Sequence, residues 1–197
     1  PLKHQLGRVI FIIDCSSSMG DALTGDPREM RNKIGYVRER IAKLSEDYFH
    51  PDTKISLVAF GDEAEILTKH GAEDLVSLKQ DIMNRACNPH GCTAFTPAFS
   101  AAESILEDDI RAHGPDYRSL VVFLTDGFDN EEKHNAARAI RSLRQLNAAV
   151  LVGGIGEGYS LARVVELAGY ASNAAWAHAP MELGGKSVGL EIGRAHV

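Results

Sequence analysis

Runs of residues that are apolar at every position recur along this chain, and they constrain its fold more than any other feature. VIFII at residues 9–13, RSLVVFLTDG at 118–127 and AAVLVGGIG at 148–156 each contain such a run and lack the alternation of a strand with one solvated face. Strands that are buried on both faces are typical of parallel sheets covered by helices. The runs therefore predict a mainly parallel sheet that is enclosed on two sides.

Amphipathic segments separate these runs and predict the covering helices. Apolar side chains recur every three or four residues along the longest segment, at Met30, Ile34, Val37, Ile41, Leu44 and Tyr48. Shorter helices are predicted at residues 75–83, at 131–146 and after a cap at Ser160. Another is predicted from the Thr96-Pro97 pair, with threonine as N-cap and proline as the first helical residue. The remaining strands are predicted at residues 54–60, 66–67 and 174–178.

The alternation of strands and helices predicts one α/β domain over residues 6–180. Crossovers between parallel strands are almost always right-handed, so we expect a doubly wound, mainly parallel sheet flanked by helices on both faces. The tail at residues 181–197 is expected to lie outside this domain, and the natural N-terminus is expected to precede Pro1. IGRAHV at residues 192–197 resembles the translation of a sequencing adapter, so we assign it no function.

Charge and cysteine content limit the classes of partner. The formal net charge of −6 disfavours a nucleic-acid backbone as a partner, and no apolar run has the length of a membrane-spanning helix. The three cysteines, Cys15, Cys87 and Cys92, are an odd and small number, which argues against a disulfide framework. Because few cysteines are typical of a reducing compartment, we predict a cytoplasmic protein.

Acidic and hydroxyl side chains follow the apolar strands. Asp14, Ser16 and Ser18 come directly after residues 9–13, Asp126 stands in LTDG, and Thr93 lies in the loop HGCTAFTPAF. Loops at the carboxyl ends of strands form the binding crevice of an open parallel sheet, so we expect these five residues to converge.

The five side chains offer only oxygen atoms, which are the ligands that Mg²⁺ prefers, with Mn²⁺ or Ca²⁺ as possible substitutes. Neutral hydroxyl ligands leave much of the metal's charge uncancelled, so an external carboxylate could complete the coordination. We therefore predict a metal site formed by Asp14, Ser16, Ser18, Thr93 and Asp126. The predicted partner is a protein that offers an acidic side chain.

Three motifs resemble those of von Willebrand factor type A domains. DCSSSM resembles the D-x-S-x-S motif of that family, GCTAFTPAF resembles its G-x-T loop, and LTDGFDN resembles its last aspartate motif. The resemblance implies the Rossmann-like fold of the family and a metal ion-dependent adhesion site (MIDAS). In that site Ser16, Ser18 and Thr93 would bind the ion through their hydroxyls, whereas Asp14 and Asp126 would act largely through water or by anchoring the serines. Ser17 and Cys92 stand where the family commonly has glycine.

The predicted function is therefore divalent-cation-dependent protein binding, without catalysis. The resemblance extends to compact bacterial relatives that work beside AAA-type ATPases, which makes such a complex a further expected partner. Two alternatives remain open. The first is a Mg²⁺-dependent phosphotransferase with Asp14 as nucleophile, although such enzymes carry a second acid where this chain has Ser16. The second is a structural interaction module that works without metal.

Overall fold

The computed structural model describes residues 6–23, 32–48, 50, 52–68, 91–126, 133–156, 166–167, 169, 175–178 and 192–194. The strands within these ranges are β1 (Arg8–Asp14), β2 (Lys54–Phe60), β3 (Ala64–Thr68), β4 (Ser119–Thr125), β5 (Ala148–Gly154), β6 (Ala175–His178) and β7 (Ile192–Arg194). The longer helices are α1 (Lys33–Tyr48), α2 (Phe95–His113) and α3 (Lys133–Gln145), and a 3₁₀ turn spans Ser17–Gly20. None of the helices in these ranges is long and apolar enough to cross a membrane.

The strands form one sheet in the order β3-β2-β1-β4-β5-β6-β7. β2, β1, β4, β5 and β6 run parallel, while β3 and β7 pair antiparallel at the two edges. The predicted doubly wound, mainly parallel sheet is confirmed. The chain passes from β1 to β2 on one side and later returns to β4 on the other side of β1. The carboxyl ends of β1 and β4 therefore lie at the point where the strand order reverses, which is where such sheets bind their ligands.

Both faces of the central strands are buried, as their uniformly apolar sequences predict. Val9, Phe11 and Ile13 belong to one core layer, together with residues of α1. Ile10 and Ile12 belong to the other layer, together with residues of α2 and α3. In that second layer the Phe123 ring stacks on Phe60 and Phe99 and meets Phe95 edge-on, with centroid distances of 4.7–5.3 Å. This packing fixes the strands whose ends carry the candidate site.

The start of α1 is fixed by a side-chain cap. The Asn32 side-chain oxygen accepts a hydrogen bond from the Gly35 N–H at 2.8 Å, which satisfies one of the free donors of the first turn. Ile34, Val37 and Ile41 are buried, as the predicted stripe requires, whereas Met30 lies outside the described residues. Lys33 is consequently the first residue of the helix.

The start of α2 differs from the prediction. The N-cap is Ala94 rather than Thr96, and the helix begins at Phe95. The Ala94 N–H donates to the Gly61 carbonyl at 2.9 Å, which ties the residue before the helix to the end of β2. Pro97 is still in the first turn, where its missing N–H removes no helical hydrogen bond. The tertiary tie at Ala94 therefore places the helix start two residues before the sequence signal.

The predictions for the edge strands, the remaining helices and the C-terminal tail have different outcomes. The edge strand at residues 66–67 is confirmed within β3, and the strand predicted at 174–178 is confirmed over residues 175–178, which form β6, while residue 174 lies outside the described residues. The helix at 75–83 and the cap at Ser160 lie outside the described residues. β7 pairs with β6 inside the predicted tail, for which no secondary structure was predicted. The domain limits and the adapter origin of residues 192–197 stay predictions.

Candidate metal centre

Two acids meet at the middle of the sheet because their strands are neighbours. Asp14 is the last residue of β1, and Asp126 directly follows β4. The two strands pair in parallel up to Ile13 opposite Leu124, so both chains leave the sheet at the same level. Asp14 is 0% exposed and Asp126 is 4% exposed, which places both carboxyls beneath the surface of the crevice.

Asp14 holds the loop that follows it. Its Oδ1 accepts a hydrogen bond from the Ser16 N–H at 2.8 Å, and its Oδ2 accepts one from the Thr125 hydroxyl. Burial raises the pKa of Asp14 above its ordinary value of 3.8, and the nearby Asp126 charge adds to the rise, while the hydrogen bonds from Ser16 and Thr125 oppose it. A carboxyl with a raised pKa in the folded state contributes stability at low pH, and that contribution is lost as the pH rises through the folded-state pKa. Burial thus disfavours the ionised form of Asp14, and a positive charge nearby would favour it.

A chain of hydrogen bonds joins both serines to the second acid. The Ser16 and Ser18 hydroxyl oxygens are 3.2 Å apart, and the Ser18 hydroxyl donates to Asp126 Oδ1 at 2.8 Å. Ser16 is buried and Ser18 is half-buried. The structure thus brings Asp14, Ser16, Ser18 and Asp126 into one connected group of oxygens, which we call the oxygen cluster.

Thr93 lies in the adjoining loop. The Ser17 N–H and hydroxyl both donate to the Gly91 carbonyl, at 3.3 and 3.2 Å, so this loop touches the one that carries the serines. Thr93 is buried with 5% exposure. Within the described part of the chain, its hydroxyl makes no hydrogen bond to the oxygen cluster. The fold therefore brings Thr93 to the same edge of the sheet but does not join it to the other four residues.

Asp62, which the sequence analysis did not single out, fixes the turn before Thr93. Its Oδ1 accepts a hydrogen bond from the Cys92 N–H at 2.9 Å. Gly91 has a φ of +73°, and a Cβ added there would lie 2.3 Å from Asp62 Oδ2. Glycine is thus required at this position both by the backbone conformation and by the approach of the carboxylate.

Gly91→Ala is expected to lower the free energy of unfolding by about 1–2 kcal/mol, because L-residues are strained at positive φ. The added methyl group would also push Asp62 from the Cys92 N–H and shift the loop that carries Thr93. Urea denaturation measures the loss, with Gly169→Ala as control, since a Cβ at Gly169 meets nothing within 4 Å. Equal stability of the two variants would contradict this account of the turn.

Lys33 contacts the oxygen cluster, although it was not singled out from the sequence. Its Nζ donates to Asp126 Oδ2 at 2.5 Å and to the Ser18 carbonyl at 3.3 Å, and its side chain is only 10% exposed. A lysine at the first position of a helix opposes the helix dipole. That unfavourable position is the one signal in the sequence that marks Lys33 as a residue with a distant partner.

The described cysteines are in two different states. Cys15, between Asp14 and Ser16, is disulfide-bonded, whereas Cys92 is an exposed free thiol. Cys87 lies outside the described residues. A bridge at Cys15 was not predicted, because a cysteine count does not reveal which thiols the fold brings together.

The residues of the oxygen cluster fit a hard divalent cation. Carboxylate and hydroxyl oxygens are the ligands that Mg²⁺, Mn²⁺ and Ca²⁺ prefer. The Lys33 ammonium, which binds Asp126, shows that a positive charge is stable beside the cluster. Among the described residues, no group of three or more His, Cys, Asp or Glu side chains forms a metal cluster. A cation at this edge of the sheet would therefore depend on the hydroxyls as well as on the two acids.

Comparison with known proteins agrees with this fold. Residues 9–128 match the family model of the von Willebrand factor type A domain. The structure of a von Willebrand factor type A protein from Catenulispora acidiphila is similar over 88% of this chain and 38% of its own, with 21% identity and a TM-score of 0.67. Manganese-loaded TRAP protein from Plasmodium vivax is similar over 89% of this chain and 69% of its own, with 23% identity and a TM-score of 0.66.

A third solved structure is the proximal thread matrix protein 1 from the mussel byssus with a zinc-occupied MIDAS motif. It is similar over 88% of this chain and 41% of its own, with 19% identity and a TM-score of 0.62. At such identities the likeness is one of fold. The chain spans less than two thirds of the Catenulispora and mussel proteins, and no curated protein matches it in sequence.

Proposed function

Because the chain belongs to the von Willebrand factor type A domain family, we propose that it is a protein-binding module whose binding depends on a divalent cation. The observation that carries the proposal is the oxygen cluster at the strand-order reversal, where Asp14, Ser16, Ser18 and Asp126 are linked by hydrogen bonds. These donors and their burial support a site for positive charge. The neighbours that carry manganese or zinc support a divalent cation of some kind.

Each residue has a proposed role. Ser16, Ser18 and Thr93 would bind the ion through their hydroxyls. Asp14 and Asp126 would hold the serines in place and accept hydrogen bonds from water on the ion. Mg²⁺ is the proposed ion, with Mn²⁺ or Ca²⁺ as substitutes, and when bound it supplies positive charge for a carboxylate of the partner.

The partner and the cellular setting are further proposals. We propose a protein partner with an acidic side chain, with an AAA-type ATPase complex in a bacterial cytoplasm as one setting. In a reducing cytoplasm the disulfide at Cys15 would be transient, because cellular thiols keep cysteines reduced there.

A phosphotransferase that uses Asp14 has less support. Asp14 is 0% exposed, and each of its carboxylate oxygens already accepts a hydrogen bond within the protein, from the Ser16 N–H and the Thr125 hydroxyl. A nucleophile needs an oxygen that can reach its substrate. The metal-free module remains a second candidate, because the Lys33 ammonium already supplies a positive charge to Asp126.

Metal binding is tested by thermal unfolding of the chain with Mg²⁺, Mn²⁺ or Ca²⁺. An ion that binds only the folded state adds about 2.7 kcal/mol at a concentration one hundred times its Kd. For a chain of this size, that gain corresponds to a rise in Tm of roughly 5–10 °C. Asp14→Asn and Thr93→Val are expected to lose the rise, because the first removes a negative charge and an acceptor for water on the ion and the second removes a proposed hydroxyl ligand.

The matched control is Asp116→Asn, an exposed acid that precedes β4 at the opposite end of the sheet. This variant is expected to respond to metal as the parent chain does. If none of the three ions changes the Tm of the parent chain, cation dependence is wrong and the metal-free module is favoured. If Asp14→Asn keeps the full rise, the ion binds at another place.

A further inference from the structure

We propose that the Lys33 ammonium is a tethered cation that competes with the divalent ion for the oxygen cluster, so that metal binding requires Lys33 to leave Asp126. The inference rests on the proposed function and concerns how the affinity of that same site is set. It assigns a role to a residue that lies outside the three sequence motifs.

The positions of the Lys33 contacts support competition rather than a separate ion pair. Nζ is 2.5 Å from Asp126 Oδ2 and 3.3 Å from the Ser18 carbonyl oxygen. The other Asp126 oxygen accepts the Ser18 hydroxyl at 2.8 Å. Both oxygens of this acid are therefore engaged within the protein, and the ammonium draws on the same residues that the ion would use.

Electrostatics make shared occupancy unfavourable. Asp126 is 4% exposed and the Lys33 side chain is 10% exposed, so water screens charges at this place only weakly. A divalent ion in the cluster and an ammonium on Asp126 would be close like charges in a medium of low dielectric constant, where their repulsion is strong. Removing the ammonium is then a necessary part of binding the ion.

Lys33 is held in a way that permits it to leave. Its four-carbon stem is flexible and its ammonium is a point charge, in contrast to the planar fork of an arginine. Lys33 also lies at the first position of α1, where the helix dipole disfavours a cation. The stem passes Gly156, where a Cβ would lie 2.8 Å from Lys33 Cε, so a glycine leaves the space that the lysine occupies.

The affinity of the chain for Mg²⁺ and Mn²⁺ by isothermal titration calorimetry tests the inference. Lys33→Met and Lys33→Gln are expected to bind each ion at least about tenfold more tightly than the parent chain, which corresponds to about 1.4 kcal/mol. Both variants should have a lower Tm than the parent without metal, because Asp126 loses its counter-charge. Saturating Mg²⁺ should remove most of that difference.

The matched control is Lys43→Met, which removes an exposed lysine from the same helix and should leave the affinity unchanged. Lys33→Arg keeps the charge and should keep the weak binding. Lys33→Gln retains a polar group toward Asp126, so the test stands even where Lys33→Met fails to fold.

The outcomes separate this inference from the proposed function. Equal or weaker metal binding by Lys33→Met and Lys33→Gln overturns the inference while leaving the cation-dependent function intact. Binding by the Lys33 variants but not by the parent supports the inference and overturns cation dependence for the natural chain. An absence of metal binding in the parent and in every variant overturns both.

Discussion

Asp126→Asn is expected to remove detectable Mg²⁺ binding and to lower the free energy of unfolding by about 3 kcal/mol. The loss of stability follows from Lys33, because breaking a buried ion pair leaves an uncompensated charge. The loss of binding follows from the position of Asp126, which anchors the Ser18 hydroxyl and contributes one of the two acids of the oxygen cluster. Urea denaturation and calorimetric titration measure the two effects on the same samples.

The double variant Asp126→Asn with Lys33→Met separates the two effects. Once the lysine charge is gone, the asparagine no longer faces an unpaired ammonium, so most of the lost stability should return. Metal binding should not return, because the acid is still missing. Asp116→Asn again serves as the matched control. Metal binding by the double variant at the parent's affinity would contradict the assigned role of Asp126, and stability that stays low would contradict the importance of the ion pair.

Asp109→Asn is expected to lower the free energy of unfolding by about 3–5 kcal/mol, because it breaks a buried ion pair at the other end of the sheet. Arg8 on β1 binds both carboxylate oxygens of Asp109 on α2, one of them from Nη2 at 2.7 Å. Its Nη1 donates to the Ser56 hydroxyl on β2, also at 2.7 Å. Arg8 and Asp109 are each 4% exposed, so the pair fixes α2 against two central strands with little screening by water.

Asp108→Asn is the matched control for this pair. Asp108 precedes Asp109 on the same helix and pairs with Arg111, but the side chains of that pair are 41% and 73% exposed. Exposed pairs contribute less than about 1 kcal/mol, so this variant should be nearly as stable as the parent. The combined variant Arg8→Met with Asp109→Leu should recover most of the loss, since apolar groups can replace a buried pair. Urea denaturation measures the free energy of unfolding of both variants. If Asp108→Asn and Asp109→Asn lose similar amounts of stability, burial of the ion pair does not determine how much it contributes.

Much of the site was predictable from the sequence because it follows from the order of strands. An apolar run such as residues 9–13 needs burial on both faces, and that requirement alone predicts a covered parallel sheet. The acids and serines that follow such runs must then emerge at one edge of the sheet. Asp14, Ser16, Ser18 and Asp126 meet there for this reason. The parallel direction brings these strand ends to one edge of the sheet, whereas the pairing of β1 with β4, which makes Asp14 and Asp126 neighbours, belongs to the tertiary structure.

The tertiary structure decided the contacts that have no local pattern. Lys33 reaches Asp126 across 93 positions of sequence, and Arg8 reaches Asp109 across 101. The tie from Ala94 to Gly61 sets the start of α2, and the carboxylate of Asp62 shapes the turn at Gly91. Periodicity reports only which face of an element is buried. Which charged side chains meet across elements depends on how those elements pack in three dimensions. The spacing of residues along the sequence does not predict these long-range contacts.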